Sequence, residues 1–129
     1  MVVDTSAVLA IFQREAECAA FARAISKASG VRISAVNYVE CATVIESRYG
    51  ARGEAWFDSF LAESNAEIVP VDITTARRAR RAYAVFGKGR HPAGLNLADV
   101  FAYVLAKSLN APLLYKGGDF ARTDVVSAL

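Results

Sequence analysis

The sequence predicts an α/β fold of three layers, a short, mainly parallel sheet of four or five strands between helices. Two observations predict it. Short apolar runs alternate with longer amphipathic ones along the whole chain, and strands alternating with helices imply a parallel sheet covered on both faces. The 129 residues suit one domain, with no repeat, linker or low-complexity tract to divide 1–129. With 54% apolar and 22% charged residues, the composition excludes a disordered chain.

The elements follow in order. Val2-Val3 is a buried strand almost at the N-terminus. Residues 7–28 read as helix in two pieces, stopped by Gly30. Val31-Arg32-Ile33 is a second strand, and Ser34 caps a helix running to about Tyr49, ended by Gly50. Residues 54–64 form another helix with Trp56, Phe57 and Phe60 on its apolar face. Ile68 to Val71 is a third strand; residues 74–86 form an arginine-rich helix. A loop with three glycines spans Gly87 to Gly94, and residues 97–109 form an apolar helix. Pro112 to Tyr115 is the fourth strand, and Val125-Val126 is a candidate fifth.

Cys18 and Cys41 fit no metal or redox spacing and read as buried free thiols in a reducing compartment. An acid at position 4 and no long uncharged apolar run argue against a signal peptide or transmembrane helix, so the expected location is the cytoplasm.

Four acids fall where a parallel sheet binds ligands, near the carboxyl ends of its strands. Asp4 follows the first strand and Asp119 the fourth; Glu40 and Asp99 lie on flanking helices. Three of them have ordinary alternatives. Asp4 can cap a helix, Asp99 can be the third-position partner of Asn96, and Asp119 can cap a turn. Glu40 is harder to explain that way, because Val36, Val44 and Cys41 surround it at helical spacing. A partly buried carboxylate needs a cation, supplied by a salt bridge or by a metal ion. Clustered carboxylates share protons or hold a cation, and an all-oxygen set selects Mg2+ or Mn2+. The chemistry this suggests is phosphodiester hydrolysis by water.

Between Asp72 and Asp99 there is no acid, only Arg77, Arg78, Arg80, Arg81, Lys88, Arg90 and the single histidine, His91. An arginine-rich helix is usually a solvated face. This one leads through a glycine-rich loop into Asp99, and positive charge there suits a polyanionic substrate. Lys88 and Arg90 are the expected phosphate contacts, and His91 is a candidate general acid.

The segments Val3-Asp4-Thr5-Ser6-Ala7, Ser34 to Glu40, Gly94 to Tyr103, Leu114 to Phe120 and Thr123-Asp124, in that order, resemble the PIN-domain nucleases, and among them the VapC-type toxins of toxin–antitoxin pairs. The resemblance spans the whole chain. It implies a three-layer PIN-like domain, and Mg2+ or Mn2+ held by Asp4, Glu40, Asp99 and Asp119, with Asp4 and Asp99 the firmest ligands. It implies that Ser6 orients substrate or a ligand carboxylate; Asn96, and the Lys88 and Arg90 of the basic interval, complete the expected substrate-binding residues. It further implies endonucleolytic cleavage of tRNA or ribosomal RNA, growth arrest, a homodimer and a cognate VapB-type antitoxin. Gly118 stands where relatives often carry a further polar or acidic residue, which argues against a second tightly held ion; Asp124 is the nearest substitute.

Two readings compete. A phosphatase or phosphoacceptor with Asp4 as nucleophile fits poorly, since Ser6 stands where the former needs an acid and Asp4 lacks an acidic neighbour for the latter. A non-catalytic RNA-binding module explains the basic interval but not four carboxylates that repel phosphate. Phe12, Trp56 and Phe60 can form a partner groove or pack in the core.

Overall fold

A computed structural model describes residues 1–129. Four parallel strands, β1 (Val2–Val3), β2 (Val31–Ser34), β3 (Ala66–Val69) and β4 (Leu113–Leu114), lie in the order β3-β2-β1-β4. The register is set by Val2 opposite both Arg32 and Leu113, and by Ile33 opposite Ile68. The chain moves outward from β1 through β2 to β3, then returns to place β4 on the other side of β1. The reversal falls between β1 and β4, and their carboxyl ends open onto the crevice where ligands of such sheets bind.

The helices are α1 (Thr5–Phe12), α2 (Cys18–Lys27), α3 (Ala35–Glu63), α4 (Ile73–Phe86) and α5 (Leu97–Leu109). Alternation along even a two-residue strand sends neighbours to opposite faces. Val2 and Leu113 join a cluster with α4 and α5, while Val3 and Leu114 join one with α1, α2 and α3. Each cluster holds twelve buried residues, so both faces are covered comparably and three layers result.

Local chemistry sets the boundaries. Asp4, Ser34, Asp72 and Asn96 are extended N-caps whose side chains accept backbone N–H bonds at the starts of α1, α3, α4 and α5. Asn110 ends α5 in the left-handed conformation. The expected stop at Gly50 is a break within α3, where φ is +58° and ψ is −147°, and helix resumes directly after it.

Three expectations are corrected. Val125-Val126 is not a fifth strand; the tail makes one bridge, Ser127 to Leu113, on the free edge of β4. The third strand starts two residues earlier and stops before Pro70, which lacks the N–H a ladder needs. Cys18 is only half-buried, although Cys41 is fully buried, and both are free thiols.

Gly87 closes α4 and opens the loop toward Asp99. A Cβ there would lie 2.3 Å from the Tyr83 carbonyl oxygen, which accepts the Gly87 N–H at 2.9 Å. Gly87→Ala is therefore expected to destabilise the fold by about 1–3 kcal/mol, read as a lower midpoint in urea. An unchanged midpoint would show that the α4 terminus opens without cost.

Candidate active site at the strand ends

Asp4 is 2% exposed and leaves β1 directly into the crevice. Its backbone N–H donates to the Leu114 carbonyl at 2.9 Å, which holds it beside the end of β4. Its Oδ2 accepts from the Ser6 N–H at 2.9 Å and the Ser6 hydroxyl at 2.6 Å. Its Oδ1 accepts from Asn37 Nδ2 at 3.2 Å. The same Asn37 amide donates to Thr5 Oγ1 at 3.2 Å, and the Thr5 hydroxyl donates to Glu40 Oε2 at 2.5 Å. A buried relay thus links Asp4 to Glu40 through two neutral side chains.

The local sequence builds this relay. Ser34 starts α3 at the end of β2, so Asn37 falls in the first turn and Glu40 one turn later on the same face, three residues apart. Asn37 is fully buried, and its Oδ1 has no hydrogen-bond partner. Glu40 is half-buried, as its apolar neighbours require.

Asp99 lies in the first turn of α5 in a reciprocal capping box. Its N–H donates to Asn96 Oδ1 at 2.8 Å, and its Oδ2 accepts the Asn96 N–H at 2.7 Å. Asp119 is exposed and precedes a short 3₁₀ turn, Phe120–Arg122, but makes no side-chain cap bond to it. The capping explanation thus holds for Asp4 and Asp99 and fails for Asp119.

Asp4 and Asp99 feel the neighbouring acids. Burial pushes the Asp4 carboxyl up to about 6 despite its Ser6 bonds, and the charges of Asp99 and Glu40 push the same way. Asp99 is raised by its own desolvation, with Glu40 and Asp119 adding to it. No Lys, Arg or His forms a salt bridge with any of the four. Lys116, which stands nearby and donates its backbone N–H to Ser6 Oγ at 2.9 Å, spends its ammonium on Glu15 and Glu17. The salt-bridge alternative for Glu40 is absent.

The arrangement fits a hard cation by donor chemistry. The donors are carboxylate oxygens alone, and Glu40 Oε1, Asp99 Oδ1 and both Asp119 oxygens accept no protein hydrogen bond. As the side chains stand, no three acids close around one point. Water would complete the ligand shell, as is usual for Mg2+.

The other expected residues are placed as follows. Ser6 serves Asp4, not open space. The Asn96 oxygen is occupied by the cap. Lys88 and Arg90 are exposed in the loop leading to Asp99, with no acid paired to either. His91 is a structural residue of that loop; its Nδ1 accepts the Ala93 N–H at 3.1 Å and its ring packs edge-on to Phe86. Asp124 is no substitute ligand, because Tyr103 Oη and Lys107 Nζ both hydrogen-bond to it. The Thr5 and Asn37 relay was not assigned a role from the sequence. The available signal was a lone amide three positions before Glu40 on an otherwise apolar face.

The family model for the PIN domain matches residues 1–126. The chain belongs to the PIN-domain family. It is 44% identical over 130 residues to Ribonuclease VapC28 of Mycobacterium tuberculosis, covering 100% of this chain and 98% of that protein. It is 43% identical over 127 residues to Ribonuclease VapC of Mycolicibacterium smegmatis, covering 98% of each. Among solved structures, Mycobacterium tuberculosis VapC20, described as a Sarcin-Ricin loop cleaving toxin, superposes with a TM-score of 0.79 at 16% identity, covering 97% of this chain and 95% of that one. A toxin-antitoxin complex from Klebsiella pneumoniae gives 0.72 at 17% identity, covering 99% and 97%. The two structural likenesses confirm the three-layer fold with its parallel sheet.

A folded-state carboxyl raised to about 6 from an ordinary 3.8 binds more protons than the unfolded chain between those values. Metal-free stability therefore falls as pH rises through that window. Asp4→Asn, which keeps a capping oxygen, should gain about 1–3 kcal/mol over the parent at pH 7 in EDTA and nothing at pH 4. Urea titrations at both pH values test this; equal effects at the two would show that the carboxyl carries no burial penalty.

Proposed function

We propose that this protein is a metal-dependent endoribonuclease, the toxin of a toxin–antitoxin pair, acting as a single domain over residues 1–129. The observation that carries the reading is a set of four carboxylates at the strand ends with no salt bridge to a protein cation, in which Asp4 feels Asp99 and Glu40, and Asp99 feels Glu40 and Asp119. Family membership across the chain, and relatives named as VapC ribonucleases, give the same direction.

Asp4, Glu40, Asp99 and Asp119 would hold Mg2+ or Mn2+, directly or through water. When bound, the ion supplies a Lewis acid for a phosphodiester oxygen and lowers the pKa of attacking water. The chain's residues do the positioning. Ser6 and Asn37 fix the Asp4 oxygens, Thr5 orients Glu40, and the capping box holds Asp99 at the start of α5. Lys88 and Arg90 would meet the RNA phosphates from the loop leading to Asp99, and Asn96, whose oxygen caps α5, would offer its amide N–H2 to the substrate. The net reaction inserts water across a P–O bond by in-line attack, leaving a phosphate end and a hydroxyl end.

A VapB-type antitoxin is the cognate partner; two solved structures of the same fold are a toxin-antitoxin complex and a VapBC2 complex bound to a promoter DNA fragment. The cleft of about 540 Å3 lined by Ile11, Ile25, Trp56 and Phe60 together with Ser59 and Glu63 is the face offered to it, in keeping with the half-buried aromatic cluster of Phe12, Trp56 and Phe60. The substrate class is tRNA or ribosomal RNA, the assembly a homodimer and the location the cytoplasm. No helix is long and apolar enough to cross a membrane.

Asp99→Asn keeps the cap, because an amide oxygen still accepts the Asn96 N–H, and removes one ligand charge. Cleavage of total RNA with Mn2+ should fall by at least about a hundredfold while circular dichroism is unchanged. Calorimetric titration of Mn2+ should show weakened binding in the same variant. Full cleavage by the variant, or full cleavage by the parent in EDTA, rejects the assignment.

A second prediction separates positioning from packing. Asn37→Leu leaves Asp4 Oδ1 and Thr5 Oγ1 without their shared donor, and should cost about 1–3 kcal/mol. Asn37→Asp should instead weaken the metal-free fold and recover when Mn2+ is added, since it places a fifth charge in the cluster. Equal loss with and without Mn2+ in Asn37→Asp would show that Asn37 only fills space.

A further inference from the structure

The cleft between α4 and α5 is a candidate site of its own. It has a volume of about 570 Å3 and is lined by Arg78, Arg81, Phe86, Tyr103, Lys107 and Ser108, among others. That size is within the range of about 300–1,000 Å3 typical of small-ligand sites, enough for a base with its sugar and phosphate. Its rim is cationic and its floor partly aromatic, with Phe86 and Tyr103 centred 5.3 Å apart and both half-exposed.

The cations are uncompensated. Arg77, Arg78, Arg80 and Arg81 are exposed and form no salt bridge. Arg78 donates to the Ser108 hydroxyl at 3.0 Å, a neutral partner that points the guanidinium across the cleft to α5. Two acids lie close. Asp72, the α4 cap, is bound by Thr75 and feels Arg78, while Asp124 is held by Tyr103 Oη at 2.6 Å and Lys107 Nζ at 3.0 Å. Asp124 thus offsets Lys107 and leaves the arginines of α4 as the free charge.

The cleft lies along the same face of α5 as Asp99. Asp99, Tyr103 and Lys107 succeed one another four residues apart on one face of α5, so Tyr103 lies about 6 Å and Lys107 about 12 Å along the axis from Asp99. Phe86 touches both Tyr103 and His91, which joins the cleft to the loop carrying Lys88 and Arg90. Arg122, just after Asp119, donates to the Pro92 carbonyl at 2.7 Å and ties that loop to the acidic end.

The geometry points to a second nucleic-acid contact. The α4–α5 cleft binds a single-stranded RNA segment flanking the cleaved bond, its phosphates on Arg78 and Arg81 and a base against Phe86 and Tyr103. Phosphate pairing with guanidinium and stacking on aromatic faces are how proteins hold unpaired RNA. This rests on the nuclease reading for the direction of the strand, but its measurement needs no cutting.

The test uses the full chain carrying Asp99→Asn, in EDTA, with a fluorescein-labelled single-stranded RNA 12-mer followed by anisotropy across a salt series. Adding Arg78→Gln and Arg81→Gln should lower affinity at least about tenfold and reduce the slope of log affinity against log salt by about 1.4, the loss of two phosphate contacts. Both side chains are exposed, so the fold should hold, checked by circular dichroism. An unchanged affinity and slope overturns the proposal. So does equally tight binding of a polyglutamate 12-mer through the same two arginines, which would make the cleft a docking face for an acidic protein segment. If the parent cuts RNA and the arginine variants bind it normally, the cleft fails alone. If the parent never cuts but the binding difference appears, the nuclease reading fails and the cleft stands.

Discussion

An ionisable side chain is buried at the carboxyl end of a central strand, and the rest of the site is arranged around that fact. Strand β1 is only two residues long and is flanked by β2 and β4, so the next side chain, Asp4, is enclosed by both neighbours and by α1 and α3. Removing a carboxylate from water costs several kcal/mol unless hydrogen bonds or a cation answer it. Here Ser6 and Asn37 answer it only in part, and burial still dominates its protonation. Capping α1 is the stabilising role Asp4 has in the metal-free chain, and it does not require a charge. A capping serine would start α1 at far lower cost.

Two of the proposed ligands are also helix caps. Asp99 gives one oxygen to the Asn96 N–H and keeps the other free, so the helix that it starts also aims it. Asp4 likewise caps α1 while facing α3. A carboxylate has two oxygens with several lone pairs. One can satisfy an unpaired N–H at a helix start while the other remains for a ligand. A cap fixes a short side chain more firmly than packing alone, because it defines both position and rotation. Asp119 has no such cap and is the least constrained of the four.

Much of the fold was legible because boundary chemistry was strong. Asn96 before Leu97 and Asn110 after Leu109 bracket α5 at the residues expected, and Gly50 breaks α3 where a positive φ is required. The tail misled, since Val125-Val126 has strand composition but lies beside an edge strand of two residues, too short to support more than a bridge. Pattern also located the acids: Asp4 and Asp119 follow strands, Asp99 starts a helix, and Glu40 stands as a charge among apolar residues inside α3. It did not assign the relay between them. Thr5 and Asn37 are ordinary residues in sequence, and their importance comes from Ser34 setting the phase of α3 against α1, a tertiary fact. For Cys18 and His91, packing decided what composition left open.

Charge separation gives the remaining step. The chain is nearly neutral overall, at +2, yet its acids and bases are kept apart where they matter. Four acids line the strand ends with no salt bridge to a cation, and four arginines of α4 form no salt bridge with an acid. Intramolecular pairing would have relieved both groups, and Lys116 shows that it was sterically available beside the crevice, since that lysine reaches Glu15 and Glu17 instead. Leaving both groups unpaired raises the free energy of the isolated chain and lowers that of a complex supplying a small cation to one and a polyanion to the other. On the proposed reading the site is completed by what binds to it, and a small cation and a polyanion would meet at the start of α5, where the acidic end and the basic loop adjoin.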